Sequence, residues 1–237
     1  LGANSEMRVE TLQIAWHVRE DGKNDPIMSL SFYGRELLAT SGADAEIKLW
    51  RIATPEGGKI GASYVCGLKA HDKTVNAVRF SPDGSVLASA SDDRFIILWR
   101  PDQARCKTFR DVTSSDDVSI QKLTGHLADI YDLDWSPDGQ YIVSGSIDHT
   151  VLVWDVAKGE PIWSCKDHSH FVQGVAWDPL HRYVVSQSSD RSVRVYQLTR
   201  RAVAGAAEAA EAHAAAAEER AAHAVERVTG ATCKHVL

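Results

Sequence analysis

Histidine, serine and aspartate, the three side chains of a nucleophilic catalytic triad, recur together along this 237-residue chain. Three times a histidine stands 22 residues before an aspartate, and a serine comes four residues before each aspartate. The pairs are His71 with Asp93, His126 with Asp148, and His168 with Asp190. In a hydrolase, the serine of such a set attacks a carbonyl carbon while the histidine takes its proton. These residue types therefore allow acyl-transfer chemistry, provided that one set forms an active site.

The repetition of the set favours a structural role. An enzyme needs one triad, and none of the three copies has the sequence of a nucleophile elbow or an oxyanion hole. A large aromatic residue follows each aspartate by six positions, and a fourth copy keeps Asp44 and Trp50 at that offset. Constant spacing over four copies is typical of a repeat protein. We therefore predict that the chain is not an enzyme and that these residues hold repeated units together.

The segments between these residues show the pattern of short strands. In the third copy, residues 130–135 alternate apolar and polar side chains, as in a half-buried strand. Ser136-Pro137-Asp138-Gly139 then supplies a turn, because proline restricts φ and glycine accepts a positive φ. Further strands are predicted at 141–146, 150–155 and 161–165. Four strands within about 40–45 residues indicate one antiparallel blade of a β-propeller.

The other copies predict the same unit, so that the chain divides into four blades. The predicted blades cover residues 26–52, 68–110, 123–166 and 167–198. Gly125-His126 and Trp154-Asp155 resemble the markers that begin and end a repeat in the WD-repeat family. This resemblance implies an all-β fold, a WD-repeat β-propeller. Four blades are recognised here, and the complete protein is expected to have the seven that are usual in this family.

Four blades of an expected seven predict a fragment of a longer protein, or a chain that a partner closes. Residues 10–16 alternate well enough to form the strand that completes the last blade in this family. An open array would expose an apolar face and unpaired strand edges, which promote aggregation. The first methionine is Met7, so we interpret residues 1–6 as upstream or added sequence and residues 7–200 as the propeller.

The resemblance also implies a hydrogen-bonded network in each blade, linking histidine, hydroxyl, aspartate and indole. Its predicted members are Thr40, Asp44 and Trp50; His71, Ser89, Asp93 and Trp99; His126, Ser144, Asp148 and Trp154; and His168, Ser186, Asp190 and Tyr196. Burying any of these groups without a partner would cost ~1–3 kcal/mol. Gly22 stands where the first histidine is expected, so the first network is predicted to be incomplete. Tyr196 replaces tryptophan, so the indole hydrogen bond is not predicted in the fourth network.

Composition argues against several classes of function. A net charge of −6 does not suit a nucleic-acid binder with a basic surface, so direct sequence-specific binding is not expected. The four cysteines lie far apart, which predicts a reducing, intracellular compartment and neither a disulfide framework nor a metal site. No apolar run approaches the ~20 residues of a membrane span, and no secretory signal is visible. The sequence has no phosphate-binding loop, and we predict no cofactor and no small-molecule substrate.

Residues 201–237 differ from the repeats in composition. The segment 202–228 contains 14 alanines with interspersed glutamates and arginines, which predicts a helix. It lacks the bulky residues of a coiled-coil seam. We interpret this C-terminal Ala-rich helix as a solvated linker or insertion followed by a tail, with a partner-binding helix as the alternative.

Stretches between the network residues match one group of WD-repeat proteins. They are residues 42–50, 91–99, 125–133, 171–180 and 189–196, together with the start at 7–17. They resemble the WD-repeat middle subunit of chromatin assembly factor one, called p60 in animals and FASCIATA-two in plants, over residues 7–200. The alanine-rich segment is not part of that pattern.

This resemblance implies a histone chaperone subunit in the nucleus. The complex receives newly made core histones and deposits them on DNA behind replication and repair. The subunit would perform no chemistry and would bind core histones, the large chaperone subunit and other subunits of the complex. Two alternatives remain: the related WD-repeat chaperone that deposits histones independently of replication, and a generic WD-repeat scaffold of another complex.

Three basic residues are candidates for partner contact. Arg94, His149 and Arg191 each follow a network aspartate directly. The resemblance places these turns on the narrower face of the propeller. Their side chains could contact a partner peptide, or they could be solvated turn residues, since loops are exposed and variable.

Overall fold

The computed structural model describes residues 11–14, 17, 22–53, 59–202 and 226–236, with side chains described as far as Leu198. Apart from a single-turn 3-10 helix at Ser115–Asp117, the regular structure of these residues consists of strands. The strands form four antiparallel sheets of four strands each. The all-β prediction is therefore confirmed. None of the described helical structure is long and apolar enough to cross a membrane.

The chain divides into two compact units, residues 1–124 and 125–237, and each unit contains two sheets. The first sheet consists of β1 Ile27–Tyr33, β2 Leu37–Gly42, β3 Glu46–Ala53 and β4 Gly61–Lys69. The second consists of β5 Val75–Phe80, β6 Leu87–Ser91, β7 Phe95–Pro101 and β8 Val118–Thr124. The third consists of β9 Ile130–Trp135, β10 Tyr141–Ser146, β11 Val151–Asp155 and β12 Glu160–Cys165. The fourth consists of β13 Val172–Trp177, β14 Tyr183–Ser188, β15 Val193–Ala202 and β16 Glu226–Val236. Strands are adjacent in chain order in every sheet.

The second strand of a sheet is the most deeply buried. β2, β6 and β10 are buried at every residue. Strands covered on both faces lack polar alternation, and these three combine apolar residues with alanine, glycine, serine and threonine. This composition lets neighbouring elements approach from both sides while the hydroxyls remain available for internal hydrogen bonds.

Tight turns join the first and second strands of the second and third sheets. Gly84 has a φ of 71° and Gly139 a φ of 69°. The amide of each glycine donates to the carbonyl of the serine three residues earlier, at 2.8 and 2.9 Å. The prediction that these glycines take positive φ is confirmed, because only this conformation reverses the chain there without steric cost.

In each unit the apolar core lies between the two sheets. In the first unit β5 packs against β1 and β2, and Leu49, Val78 and Leu87 are fully buried. In the second unit β13 packs against β9 and β10, and Val143 and Val172 are fully buried. Burying one such side chain contributes ~1.5–3 kcal/mol. The first strand of each later sheet therefore forms much of the contact with the sheet before it.

The connection between β7 and β8, residues 102–117, contributes to the core of the first unit. Cys106, Phe109 and Val112 are buried there, and the Phe109 ring meets the Phe80 ring edge-on at 5.3 Å. Asp117 ends the connection by accepting hydrogen bonds from Thr113 and Ser114. As a result β8 begins at Val118, after the end of the range 68–110 predicted for this blade.

The fourth sheet is completed by residues that follow the alanine-rich segment. β16 pairs with β15 from Arg194 opposite Val236 to Ala202 opposite Glu226. The helix predicted over 202–228 falls outside the described residues at 203–225. At its described ends, Ala202 and 226–228, the prediction is wrong because these residues form strand. Ladder pairing outweighs the local helix propensity of these ends.

The β15–β16 pair extends beyond the sheet. β14 pairs with β15 only as far as Gln197, whereas β16 follows β15 to Ala202. The alanine-rich segment therefore joins the far ends of a two-stranded ribbon. The closing strand predicted at 10–16 is absent from its described part, since Thr11–Ile14 form no ladder. Residues 10, 15 and 16 lie outside the described residues.

Candidate functional site

Each sheet contains a buried chain of four polar side chains, which we call its brace. In the second sheet, His71 Nδ1 lies 2.7 Å from Asp93 Oδ2, and Nε2 lies 2.7 Å from Ser89 Oγ. The Trp99 indole donates to the same Ser89 Oγ at 2.9 Å. The histidine precedes the first strand, the serine lies on the second, the aspartate follows it, and the tryptophan lies on the third. A brace therefore ties a loop to the centre of its sheet.

The third and fourth braces repeat this geometry with one difference. In the third, His126 lies 3.0 Å from Asp148 Oδ2 and 2.7 Å from Ser144 Oγ, which accepts the Trp154 indole N–H at 2.8 Å. In the fourth, His168 lies 2.8 Å from Asp190 Oδ2 and 2.7 Å from Ser186 Oγ. The Tyr196 hydroxyl lies 3.4 Å from Ser186 Oγ, longer than an ordinary hydroxyl hydrogen bond. The replacement of tryptophan thus loosens the last contact.

The first sheet has a complete brace, contrary to the prediction based on Gly22. His17 Nδ1 lies 2.8 Å from Asp44 Oδ1, and Nε2 lies 2.9 Å from Thr40 Oγ1. The Trp50 indole donates to Thr40 Oγ1 at 2.9 Å. His17 stands 27 residues before Asp44 because the connection to β1 is longer, and Gly22 belongs to that connection. His17 is the only histidine before His71, a signal that could have identified it.

The first brace also includes a buried cation that the sequence analysis missed. Lys48 Nζ donates to Asp44 Oδ2 at 2.7 Å and lies 3.4 Å from Glu46 Oε2. The Lys48 side chain is almost fully buried. A buried ammonium is costly without a carboxylate partner, so Asp44 serves both His17 and Lys48.

Hydroxyls two residues after the aspartate reinforce the third and fourth braces. Thr150 Oγ1 donates to Asp148 Oδ1 at 2.5 Å, and Ser192 Oγ donates to Asp190 Oδ1 at 2.6 Å. Sequence analysis missed both residues, although a hydroxyl at this offset follows two of the four aspartates. These contacts orient each carboxylate toward its histidine.

Hydrogen bonds keep the brace carboxylates ionised. Burial alone would raise the pKa of the Asp148 carboxyl, but hydrogen bonds from His126, Thr150 and the Leu127 amide hold that pKa well below its ordinary value. The same balance lowers the pKa of the carboxyls of Asp44, Asp93 and Asp190. One arrangement of hydrogens satisfies the indole-containing braces: the indole donates to the hydroxyl, the hydroxyl to Nε2, and Nδ1–H to the carboxylate.

The brace hydroxyls are poorly placed for nucleophilic attack. Ser89, Ser144 and Ser186 are completely buried, and each is already in contact with a histidine and an aromatic side chain. A nucleophile must come within about 3–3.5 Å of its substrate. The geometry therefore supports strand-to-strand linkage instead of acyl transfer.

Cysteines and metal-ligating groups form no other reactive centre in the described part of the chain. Cys66, Cys106 and Cys165 are buried free thiols, and burial raises the pKa of the Cys66 thiol to about 11. Such a thiol carries little thiolate and reacts slowly. Histidine, cysteine, aspartate and glutamate nowhere gather in threes around a possible metal position among these residues.

The residue that follows each brace aspartate has a left-handed backbone. Ala45, Arg94, His149 and Arg191 have φ values of 62°, 73°, 70° and 71°. This conformation costs a residue with a side chain about 1–2 kcal/mol. Arg94 and Arg191 are exposed, whereas His149 is partly buried and stacks on His170 with ring centroids 6.0 Å apart. The three candidate contact residues thus occupy equivalent turns of their sheets.

Comparison with known proteins identifies similar domains. A family model described as "CAF1B/HIR1 beta-propeller domain" matches residues 7–234. A chromatin assembly factor 1 protein of Gallus gallus is 36% identical over 182 residues, covering 71% of this chain and 31% of that protein. The Chromatin assembly factor 1 subunit FAS2 homolog of Oryza sativa subsp. japonica is 41% identical over 177 residues, covering 72% and 32%. Protein hir1 of Schizosaccharomyces pombe is 30% identical over 182 residues, covering 71% and 20%.

The comparisons bear on both the extent and the nature of the match. This chain spans about a third of the length of the chromatin assembly factor relatives, and less of hir1. The family match continues to residue 234, past the limit of 200 predicted from the sequence, and so includes most of β16. The predicted resemblance and the β-propeller fold class are confirmed.

Proposed function

This chain belongs to the CAF1B/HIR1 β-propeller domain family, and on that basis we propose that it is a non-catalytic subunit of a nuclear histone chaperone. In this role it binds the large chaperone subunit and core histones and supports nucleosome assembly coupled to replication and repair. The observation that carries the proposal is the identity of 36–41% to proteins named as subunits of chromatin assembly factor 1. A protein named as a subunit works within a larger assembly, so the proposed activity is binding.

The brace geometry supports the non-catalytic part of the proposal. The residues that resemble a triad are buried and hydrogen-bonded to one another in four repeated copies. A chain with a net charge of −6 is also compatible with a basic histone client. Both observations are consistent with a folded platform that other proteins bind.

We place a partner contact at the turns that carry Arg94, His149 and Arg191. Two of these side chains are exposed guanidinium groups held on left-handed residues. Guanidinium groups pair well with carboxylates, so the turns suit an acidic segment of another chaperone subunit. A basic histone would contact a different surface.

The proposal can be tested by capture of defined partners. The chain is immobilised and incubated with the purified large subunit of chromatin assembly factor one, or with H3–H4 histones. We expect both to be retained, and we expect Arg94→Glu with Arg191→Glu to reduce retention of the large subunit at least tenfold. Lys158→Glu is the control, because Lys158 is an exposed cation at the opposite end of β11 from the His149 turn. Retention of neither partner by the unmodified chain would overturn the proposal.

The replication-independent WD-repeat chaperone is a second candidate. The supporting observation is the 30% identity to Protein hir1, which is lower than the 36–41% to the chromatin assembly factor subunits. The large subunit that co-purifies with the chain distinguishes the two. Recovery of the replication-independent partner alone would favour this second candidate.

A further inference from the structure

In both units, the first strand of one sheet presents two side-chain acceptors to the first strand of the next. In the first unit, Ser29 Oγ accepts the Val78 amide N–H at 3.3 Å, and Ser31 Oγ accepts the Phe80 amide at 3.0 Å. In the second unit, Asp132 Oδ2 accepts the Val175 amide at 3.2 Å. Asp134 Oδ2 accepts the Trp177 amide at 2.8 Å. We call these two residues of a strand its acceptor pair.

The acceptor pairs occupy equivalent positions. The receiving residues Val78 and Val175 lie opposite the brace serines of their own sheets. The second receiving residue of each strand, Phe80 or Trp177, comes two positions later. The acceptors lie three and one residues before the last aromatic positions of their own strands, Phe32 in β1 and Trp135 in β9. The same contact is therefore built twice, with serines in one unit and aspartates in the other.

The contact covers the receiving strand. Val78 and Phe80 are 0% and 8% exposed, and Val175 and Trp177 are 9% and 5% exposed. Apolar side chains of the receiving strand are thus buried on the side where its edge amides meet the acceptor pair. Satisfied edge amides and buried apolar area act together in this contact.

β1 has the receiving features without such a cover. Leu30 lies opposite the brace residue Thr40, as Val78 lies opposite Ser89, and Phe32 lies opposite Leu38, as Phe80 lies opposite Leu87. Yet Leu30 is 59% exposed, Phe32 is 52% exposed, and the neighbouring Met28 is also exposed. By register, the Leu30 and Phe32 amides point away from β2, as the Val78 and Phe80 amides point away from β6. We call Met28, Leu30 and Phe32 the β1 face.

We propose that the β1 face is a docking surface for the first strand of a further four-stranded repeat that carries its own acceptor pair. The two acceptors are Ser, Thr, Asp or Asn residues spaced two apart, and they accept the amides of Leu30 and Phe32. A second copy of this chain is a poor occupant through β13. Gly174 and Ala176, which stand at the acceptor positions of that strand, have no side-chain acceptor.

Photo-crosslinking from the β1 face tests the proposal. A photoreactive phenylalanine analogue replaces Phe32, a half-exposed ring of similar size, in the protein as its cells make it. Crosslinked peptides are then sequenced by mass spectrometry. We expect a peptide in which two residues from Ser, Thr, Asp and Asn stand two apart, just before an apolar or aromatic residue. The same analogue at Tyr64, on the opposite edge strand β4, is the control and should not capture that peptide.

Substitution of the captured acceptors separates the hydrogen bonds from apolar contact. Replacing both acceptors by alanine should lower the crosslink yield at least tenfold and speed hydrogen exchange at Leu30 and Phe32 by a similar factor. Three outcomes would overturn the proposal: crosslinks to residues 172–177 of a second copy, crosslinks to a peptide without the acceptor pair, or no yield above the Tyr64 control.

Discussion

Replacing Ser144 by alanine tests whether the braces stabilise the fold. The substitution removes one oxygen and leaves almost no cavity, because serine and alanine have similar volumes. Ser144 Oγ accepts the Trp154 indole N–H at 2.8 Å and lies 2.7 Å from His126 Nε2. Without it, both nitrogens are buried and lose this partner. Each unsatisfied buried group costs ~1–3 kcal/mol, so Ser144→Ala should lower the free energy of unfolding by ~2–6 kcal/mol. That is a large fraction of the ~5–15 kcal/mol typical of a folded protein.

The assay is urea unfolding followed by tryptophan fluorescence and circular dichroism. Ser164→Ala on β12 is the matched control, since it removes the same oxygen at an exposed position and should change stability by less than about 0.5 kcal/mol. Ser144→Thr should retain most of the stability, because the first sheet uses Thr40 at this position. A Trp154→Phe double-mutant cycle then measures the indole contribution. If Ser144→Ala costs no more than Ser164→Ala, our account of the brace is wrong.

Three further predictions concern the first brace, pH and the alanine-rich segment. His17→Ala should destabilise the protein as strongly as His71→Ala in urea unfolding, whereas His149→Ala should have a small effect; equal, small effects of the first two would contradict the assignment of His17. The brace aspartates have lowered pKa values in the folded state. Their stabilisation is therefore complete above the unfolded pKa of about 4 and is lost as pH falls below it; a flat acid titration of unfolding free energy would refute this. Replacing residues 203–225 by Asn-Gly should preserve β15–β16 pairing, because Ala202 and Glu226 are already ladder partners, and loss of amide protection in β16 would show otherwise.

The repeated parts of the fold could be predicted because their signals are local. Strand alternation, the serine-proline-aspartate-glycine turns and the spacing from His126 to Asp148 all lie within one blade. Each signal was repeated, so that irregular copies could be recognised by comparison. The strands of the third sheet accordingly fall within the range 123–166 that the sequence predicts.

The missed features all depend on contacts between residues separated by irregular connections. His17 reaches Asp44 across 27 residues instead of 22, β8 follows a long connection whose Phe109 is buried, and β16 follows the alanine-rich segment. A fixed period cannot detect an element that a variable connection displaces. Local propensity also favours helix at Ala202 and 226–228, where ladder pairing decides for strand.

The sequence by itself determined that the chain is a repeat of four-stranded units, and which histidines, hydroxyls, aspartates and rings recur in them. Side-chain periodicity and turn chemistry are properties of the covalent chain, so they are visible without coordinates. Only the tertiary structure decided that His17 completes the first brace, that the triad-like serines are buried, and that Ser29 and Ser31 bond to the next sheet. Burial and hydrogen bonding between distant residues depend on packing, which no local pattern encodes.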